Sequence, residues 1–499
     1  MKKIIYSLLI VTIAFYSCSD QLNLDPKSFI NGDSYFGTEA SIKLALNGAY
    51  SDLQILFNTS GGMDFWAVSE MRTDNTSFQY NPSDRGEFDM EFLDTFSETA
   101  SDDDLQRIWD RLYSGISHCN TVLSRIDNID FKDPSLKDQY TGEAEFLRAY
   151  YYYNLVRLWG GVPLVLEEVR SPAEAFSKGR SSIDSVYDQI INDIKDATSK
   201  LPLKYNGVDV GRVTKGAVYT MLGEIYMTLK DYPSAIEALS QVINMDYSLL
   251  SDYGDIFDPA HKNNSESIFE IQFNASLDGE ASEFAYRFVP FNSGSTIIGF
   301  NNLAPGHAGY NIPTLDMLNA YEKSDKRMAA SVGYYVNPEN TQYDVAIGDS
   351  IPYVKKFVHP FDQPSKTNEN WPVYRFSQVL LMMAEALNET GQTAAAYPYI
   401  NEVRNRAGLA SLTSGMNQLD FKNTVYHEER VELAFENHRW FDLLRTDRAL
   451  EVMTKHGVEE KKLKPRLTSS DFDIQEYKLL YPIPQREVRV NHLKQNPGR

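Results

Sequence analysis

The stretch Gly216–Tyr247 constrains the fold more than any other part of the chain. Tyr219, Leu222, Gly223 and Tyr226 fall on one face of a helix, and Ala235 and Leu239 fall on the next helix. Gly223 and Ala235 are small where two helices touch, and aromatic residues fill the flanks. The offsets fit a two-helix repeat of about 34 residues. Phe376–Ala407 fits the same frame, with Leu380, Met383, Ala384 and Leu387 followed by Ala396, Ile400 and Val403.

Other segments supply further helices. Thr38–Leu56 opens on Thr38 as N-cap, with Ser41 where a capping box prefers Glu, and continues through Ile42, Leu46, Ala49 and Leu53. Asp102–Ile129 carries Leu105, Ile108, Leu112, Ile116, Cys119 and Leu123, and its acidic start suits a helix N-terminus. Thr141–Trp159 carries Ala144, Leu147, Tyr151, Leu155 and Leu158, and Gly160-Gly161 and Pro163 stop it. Ser181–Leu201 is helical up to Pro202, and Phe421–Leu450 forms a fifth helical block. The expected class is mainly α, with tetratricopeptide-like helix pairs as a scaffold. A large loop-rich insert for ligand binding and few short strands complete it. The scaffold spans about 38–56, 102–250 and 375–450, and the loops span about 58–101, 254–311 and 332–372. Loops of this length inside a compact chain are usually functional. Residues 31–499 read as a single domain.

Sixty-nine acidic against 48 basic side chains give a net charge of −21, which excludes nucleic acid as a partner. The N-terminus gives an address. Lys2 and Lys3 precede an apolar run Ile4–Phe15, which is too short to span a bilayer and ends at Ser17-Cys18. That is the form of a lipoprotein signal over residues 1–17, with Cys18 as the acylated residue and 18–30 as a tether. The second cysteine, Cys119, reads as a small core residue.

No HExxH, GxSxG, P-loop or GxGxxG pattern occurs among the 499 residues, so no enzymatic activity, cofactor or resident metal is expected. The aromatic content is more informative: 31 Tyr, 26 Phe and 5 Trp. Trp109, Trp159 and Trp440 lie in amphipathic helices and read as core. Trp66 stands in a loop and is followed by Arg72, Asp74, Asn75, Phe78 and Tyr80. An aromatic face stacks on the apolar face of a sugar while charged and amide groups bond its hydroxyls. The same Trp66 could equally pack beneath its loop.

Four ordered segments carry a resemblance to a known family. They are Glu143–Tyr153 running on to Leu158–Pro163; Arg375 with Leu380–Asn388 and Asn401–Leu409; Glu429–Glu436 with Arg439–Arg445; and Leu480–Glu487 with Asn491 and Gln495–Gly498. Together they resemble the SusD/RagB surface lipoproteins of Bacteroidetes. Their charged residues read as structural pairs: Glu432, Glu436 and Arg439 as a network on one helix, and Arg148 and Arg445 in similar buried pairs.

The resemblance implies a lipid-anchored glycan-binding protein at the cell surface, without catalysis. It would form a lid on a SusC-like TonB-dependent outer-membrane transporter. A peptide-binding import role, as in the RagB branch, is the alternative, and an all-α glycoside hydrolase is a third reading. It also directs attention to Trp66, Arg72, Asp74, Asn75 and Tyr80 as ligand contacts, with Phe300, Tyr310 and Trp371 from the other loops.

Overall fold

The structure is a computed structural model that describes residues 36–58, 65–82, 88–171, 174, 178–277, 279–291, 293–299, 308–359 and 366–499. The signal segment, the tether, Cys18 and Phe300 lie outside the described residues. Eight helices form the scaffold: α1 (Glu39–Phe57), α2 (Asp103–Arg125), α3 (Pro134–Trp159), α4 (Ile183–Ala197), α5 (Lys215–Thr228), α6 (Tyr232–Ile243), α7 (Phe376–Glu389) and α8 (Thr393–Arg406). Each packs on the next, including α6 on α7 across more than a hundred residues of intervening chain. The four pairs therefore stack as neighbours, and the insert is looped out between the third and the fourth.

Local chemistry explains the helix limits. Thr38 and Ser41 close a reciprocal capping box, the Ser41 hydroxyl accepting the Thr38 N–H at 3.0 Å where a longer Glu was expected. Asp102 caps α2 by accepting the Leu105 N–H at 3.0 Å. Helix α3 starts seven residues before the apolar pattern, at Pro134 behind the N-cap Asp133. Its second half is buried all round, so its tyrosines turn inward and each hydroxyl needs a partner. Tyr152 donates to the Val165 carbonyl at 2.8 Å, and Tyr153 shares a 2.8 Å bond with Thr228. Gly115 of α2 lies where a Cβ would meet the Tyr151 ring at 2.2 Å. At Gly223 a Cβ would meet Leu239 at 2.6 Å, so the tight contact of the third pair is Gly223 with Leu239, beside a fully buried Ala235.

Strands β2 (Ser267–Ile271) and β6 (Trp371–Arg375) pair antiparallel, with Ile271 opposite Trp371, and zip the two ends of the insert together. Trp371 thus lies in a strand that runs directly into α7. Strands β4 (Val332–Val336) and β5 (Ser350–Val354) form a hairpin in the third long loop, and β1 (Thr76–Ser77) pairs with β3 (Ile312–Pro313), joining the first loop to the second. Among the described residues no helix is long and apolar enough to cross a membrane.

The fifth helical block is broken into α9 (Gln418–Glu432), α10 (Arg439–Arg445) and α11 (Ala449–Leu463). Between α9 and α10 the chain takes left-handed conformations at Phe435 (φ 68°) and Asn437 (φ 70°). Glu432, Glu436 and Arg439 therefore do not share a helix face. Glu432 and Glu436 both grip Arg375, which also binds Glu266 at 3.0 Å, while Arg439 turns away to Asp74. The other two arginines follow the expectation. Arg148 makes a bidentate pair with Asp193 at 2.7 and 2.8 Å, and Arg445 binds Glu385, Glu429 and Asp442. Cys119 and the tryptophans 109, 159 and 440 are buried.

Candidate ligand-binding face

Most of the sequence-selected residues lie beneath the loops, inside the protein. Trp66 is fully buried, edge-on to Phe288 with ring centres 5.1 Å apart and 5.5 Å from Tyr310. Trp371 stacks on Phe357 at 5.0 Å and meets Phe284 edge-on at 5.1 Å. Tyr310 is 1% exposed and packs between Trp66 and Phe78. These rings are one aromatic floor, and a sugar cannot stack on faces already covered by other rings.

The polar members of the set are consumed by internal partners. Arg72 lies between Phe96 (3.9 Å) and Tyr481 (4.2 Å), pairs with Glu98 at 3.1 Å and donates to the Lys478 carbonyl at 2.6 Å. Both oxygens of Asp74 accept from Arg439 at 2.8 Å, and Arg430 adds a contact at 3.1 Å. Burial alone would raise the Asp74 carboxyl, but the two guanidiniums hold it well below the usual carboxylate range. Asn75 donates to Glu70 at 2.9 Å and accepts from Arg430 at 2.8 Å. Glu70 also receives the backbone N–H groups of Phe435 and Asn437 at 3.0 and 3.1 Å, pinning the left-handed turn between α9 and α10. Thus Trp66, Arg72, Asp74, Asn75, Tyr310 and Trp371 support the loop face and do not present themselves on it.

Tyr80 alone of the described set reaches the surface, half-buried, with the Arg466 guanidinium 4.2 Å over its ring. Arg466 is held at both sides, by Asp344 at 2.6 Å and Glu91 at 2.7 Å. Next to Asp344, Tyr343 packs on Phe291 at 6.1 Å, at the edge of a small separate apolar cluster of Tyr286, Val289, Phe291, Ile298 and Ala308. Gln79 ties this cluster to the first loop: it accepts the Phe291 N–H at 3.0 Å and its own N–H reaches Gly309 at 2.8 Å. Gly309 is required there, because its φ is +82° and a Cβ would meet Gln79 at 2.9 Å. All three long loops therefore meet around Tyr80, Arg466, Asp344 and Tyr343. Among the described residues, Asp344 Oδ1 and Arg466 Nη2 have no hydrogen-bond partner, and both atoms are buried. Arg466, Asp344 and Tyr343 escaped the sequence reading. The one available signal was Tyr343 within an aromatic-rich loop; nothing near Arg466 marks it.

A groove lies elsewhere, on the scaffold between α5, α6 and β2. It has a volume of about 790 Å³ and is lined by Tyr205, Arg212, Tyr219, Asn244, Tyr247 and Asn263 among others.

Two family models match in tandem. Residues 265–498 match the SusD family, and residues 37–227 match a model described as starch-binding, associating with the outer membrane. The chain belongs to the SusD/RagB family. The SusD-like protein P25 of Formosa agariphila is 28% identical, covering 98% of this chain and 96% of its own length. Surface glycan-binding protein A from Bacteroides uniformis superposes with a TM-score of 0.76 at 25% identity, over 92% of this chain and 99% of that one. The surface glycan-binding protein A from Bacteroides thetaiotaomicron in complex with laminarihexaose has a TM-score of 0.75 at 22% identity, with 92% and 99% covered, and shares the fold.

Proposed function

We propose that this SusD-like chain is a cell-surface glycan-binding lipoprotein that captures oligosaccharides on its loop face. It passes them to a SusC-like TonB-dependent outer-membrane transporter, and it breaks no bond. The observation that carries the reading is the half-buried Tyr80 ring under the Arg466 guanidinium, itself held by Asp344 and Glu91, where all three long loops meet. An aromatic platform with adjacent fixed polar groups is what a sugar ring with equatorial hydroxyls requires. The laminarihexaose complex of a structural relative supports a glucan as the first ligand to try. In this reading Cys18 carries the lipid and residues 18–30 the tether.

The test is affinity electrophoresis and calorimetry against laminarin, starch and host-type glycans. Tyr80→Ala and Arg466→Ala should weaken the matching glycan about tenfold or more, whereas Tyr247→Ala in the scaffold groove should leave it unchanged. Loss with Tyr247→Ala alone would move the site to that groove. Release of new reducing ends from the bound glycan would overturn the non-catalytic reading. A Cys18→Ala variant should partition away from membranes.

A further inference from the structure

A groove of about 300 Å³ runs along α2. Its floor is Trp109, Tyr113 and Ile116, which recur at helical spacing on one face of α2. Its opposite wall is the irregular segment after α3, where Pro163, Val165 and Val169 fall on alternate positions. That wall is fixed in place. The Tyr113 hydroxyl donates to the Pro163 carbonyl at 2.8 Å, and Asn120 and Tyr152 each donate to the Val165 carbonyl at 2.8 Å. Val169, at the end of the wall, is 40% exposed. The groove is therefore preformed, apolar at its floor and open.

The chain itself leads to this groove. Phe36 is the first described residue, and the Arg125 guanidinium, at the C-terminal end of α2, stands 5.3 Å over its ring. Arg125 also pairs with Glu168 at 2.8 Å, within the same wall. From Arg125 back to Trp109 is about 24 Å along the helix. The residues preceding Phe36 include the apolar pair Phe29-Ile30. An extended chain rises about 3.3 Å per residue, so Phe29 reaches about 23 Å from Phe36. Reach and groove length thus match, whereas Tyr35 falls short and Leu22 and Leu24 overshoot an extended run.

We propose that Phe29 and Ile30 of this same chain seat in the groove between α2 and the Pro163–Val169 wall, on a segment running parallel to α2. Their docking removes apolar surface from water on both partners. It also shortens the leash. The free span between the anchor and the body falls from residues 18–35, about 60 Å when fully extended, to residues 18–28, about 36 Å. The leash length rests on the proposed lipid at Cys18; the docking does not.

The experiment is limited trypsin digestion of the full chain, followed by mass spectrometry. Lys27 is the one tryptic position between Cys18 and Phe36, and it adjoins the docked pair. Wild type should be cut slowly there. Phe29→Asp, on the segment, and Val169→Asp, on the exposed end of the wall, should each speed that cut about tenfold or more and leave cleavage elsewhere and the melting temperature unchanged. Cys18→Ala should keep the wild-type rate, so the docking and the lipid anchor fail independently. Rapid cutting at Lys27 in wild type would overturn the proposal. So would a rate unchanged in Val169→Asp, which would place the pair outside this groove. Protection that vanishes on dilution would assign the groove to a second copy and overturn the intrachain docking.

Discussion

The helical scaffold and the loop-rich insert differ in which segments their buried polar residues join. In the scaffold the apolar face turns inward, and the helix pairs touch through small residues, as at Gly223 against Leu239 and Gly115 against Tyr151. The scaffold's buried pair Arg148–Asp193 joins two adjacent helices, whereas the charges under the loops bridge distant segments. Arg72 with Glu98, Asp74 with Arg439 and Arg430, and Arg375 with Glu266, Glu432 and Glu436 are all buried and join segments remote in sequence. Irregular backbone cannot saturate its own hydrogen bonds or bury a periodic stripe, so it is tied down by paired polar groups and by interlocked rings. The difference teaches where mutations act through the fold and where they can act on a ligand alone.

The largest effects should come from breaking the buried ties. Asp74→Ala leaves two guanidiniums buried without their carboxylate, and removal of one partner of such a pair costs about 3–5 kcal/mol. Trp66→Ala opens a cavity in the aromatic floor and should cost a similar amount, about 3–5 kcal/mol. Urea denaturation measures both. A Trp66→Ala protein with unchanged stability would return Trp66 to the ligand face. On the scaffold side, Gly223→Val drives a branched side chain into Leu239, and overpacking of this kind costs about 1–3 kcal/mol. If it were neutral, the third helix pair would not be held by close contact.

The scaffold was legible in the sequence because period-3.6 patterning, caps and Gly stops are local signals. The helix pairs around Gly223 and Leu380 and the stop at Gly160 appear in place, whereas α4 ends at Ala197, before Pro202. The start of α3 was misread because Pro134–Tyr140 carries a cap without an apolar stripe. Family resemblance supplied the ordering of the segments. The face was poorly legible because Trp and Arg read alike whether they bind a ligand or a neighbour. Trp66 found Phe288, Asp74 found Arg439, and Tyr80 found Arg466, each partner hundreds of residues away in the chain. The break after Glu432 was hidden because Phe435 and Asn437 adopt positive φ without a glycine to announce it.

The charges under the loops also set a pH dependence. Burial, reinforced by Glu460, pushes Asp94 up to about 7, against the opposing Lys464 and the donors Phe78 N–H and Ser77. A carboxyl whose folded pKa is raised contributes stability that is full below its unfolded pKa and is lost as pH rises through the folded one. Between pH 6 and 8 that loss should be about 1 kcal/mol for Asp94, and Asp94→Asn should remove it, as read from denaturation curves at pH 6, 7 and 8. Glu70 and, on α3, Glu145 are raised to about 7 with burial as the leading cause, so a residual slope of the same sign should persist in the variant. A slope unchanged by Asp94→Asn would mean that Asp94 is already ionised at pH 6.

The smallest effect on stability should accompany the largest effect on ligand. Tyr80 is half-buried, beneath a guanidinium that Asp344 and Glu91 hold whether or not the ring is present. Its truncation opens no enclosed cavity and strands no buried charge. Tyr80→Ala should therefore change unfolding free energy by less than about 1 kcal/mol, while glycan retention falls. Measured on one preparation, the two numbers separate the regions. Buried members of the aromatic set lose both stability and binding, and Tyr80 loses binding alone. If Tyr80→Ala destabilised as strongly as Trp66→Ala, the ring would belong to the floor, and the ligand face would have to be sought at Tyr343 and beyond.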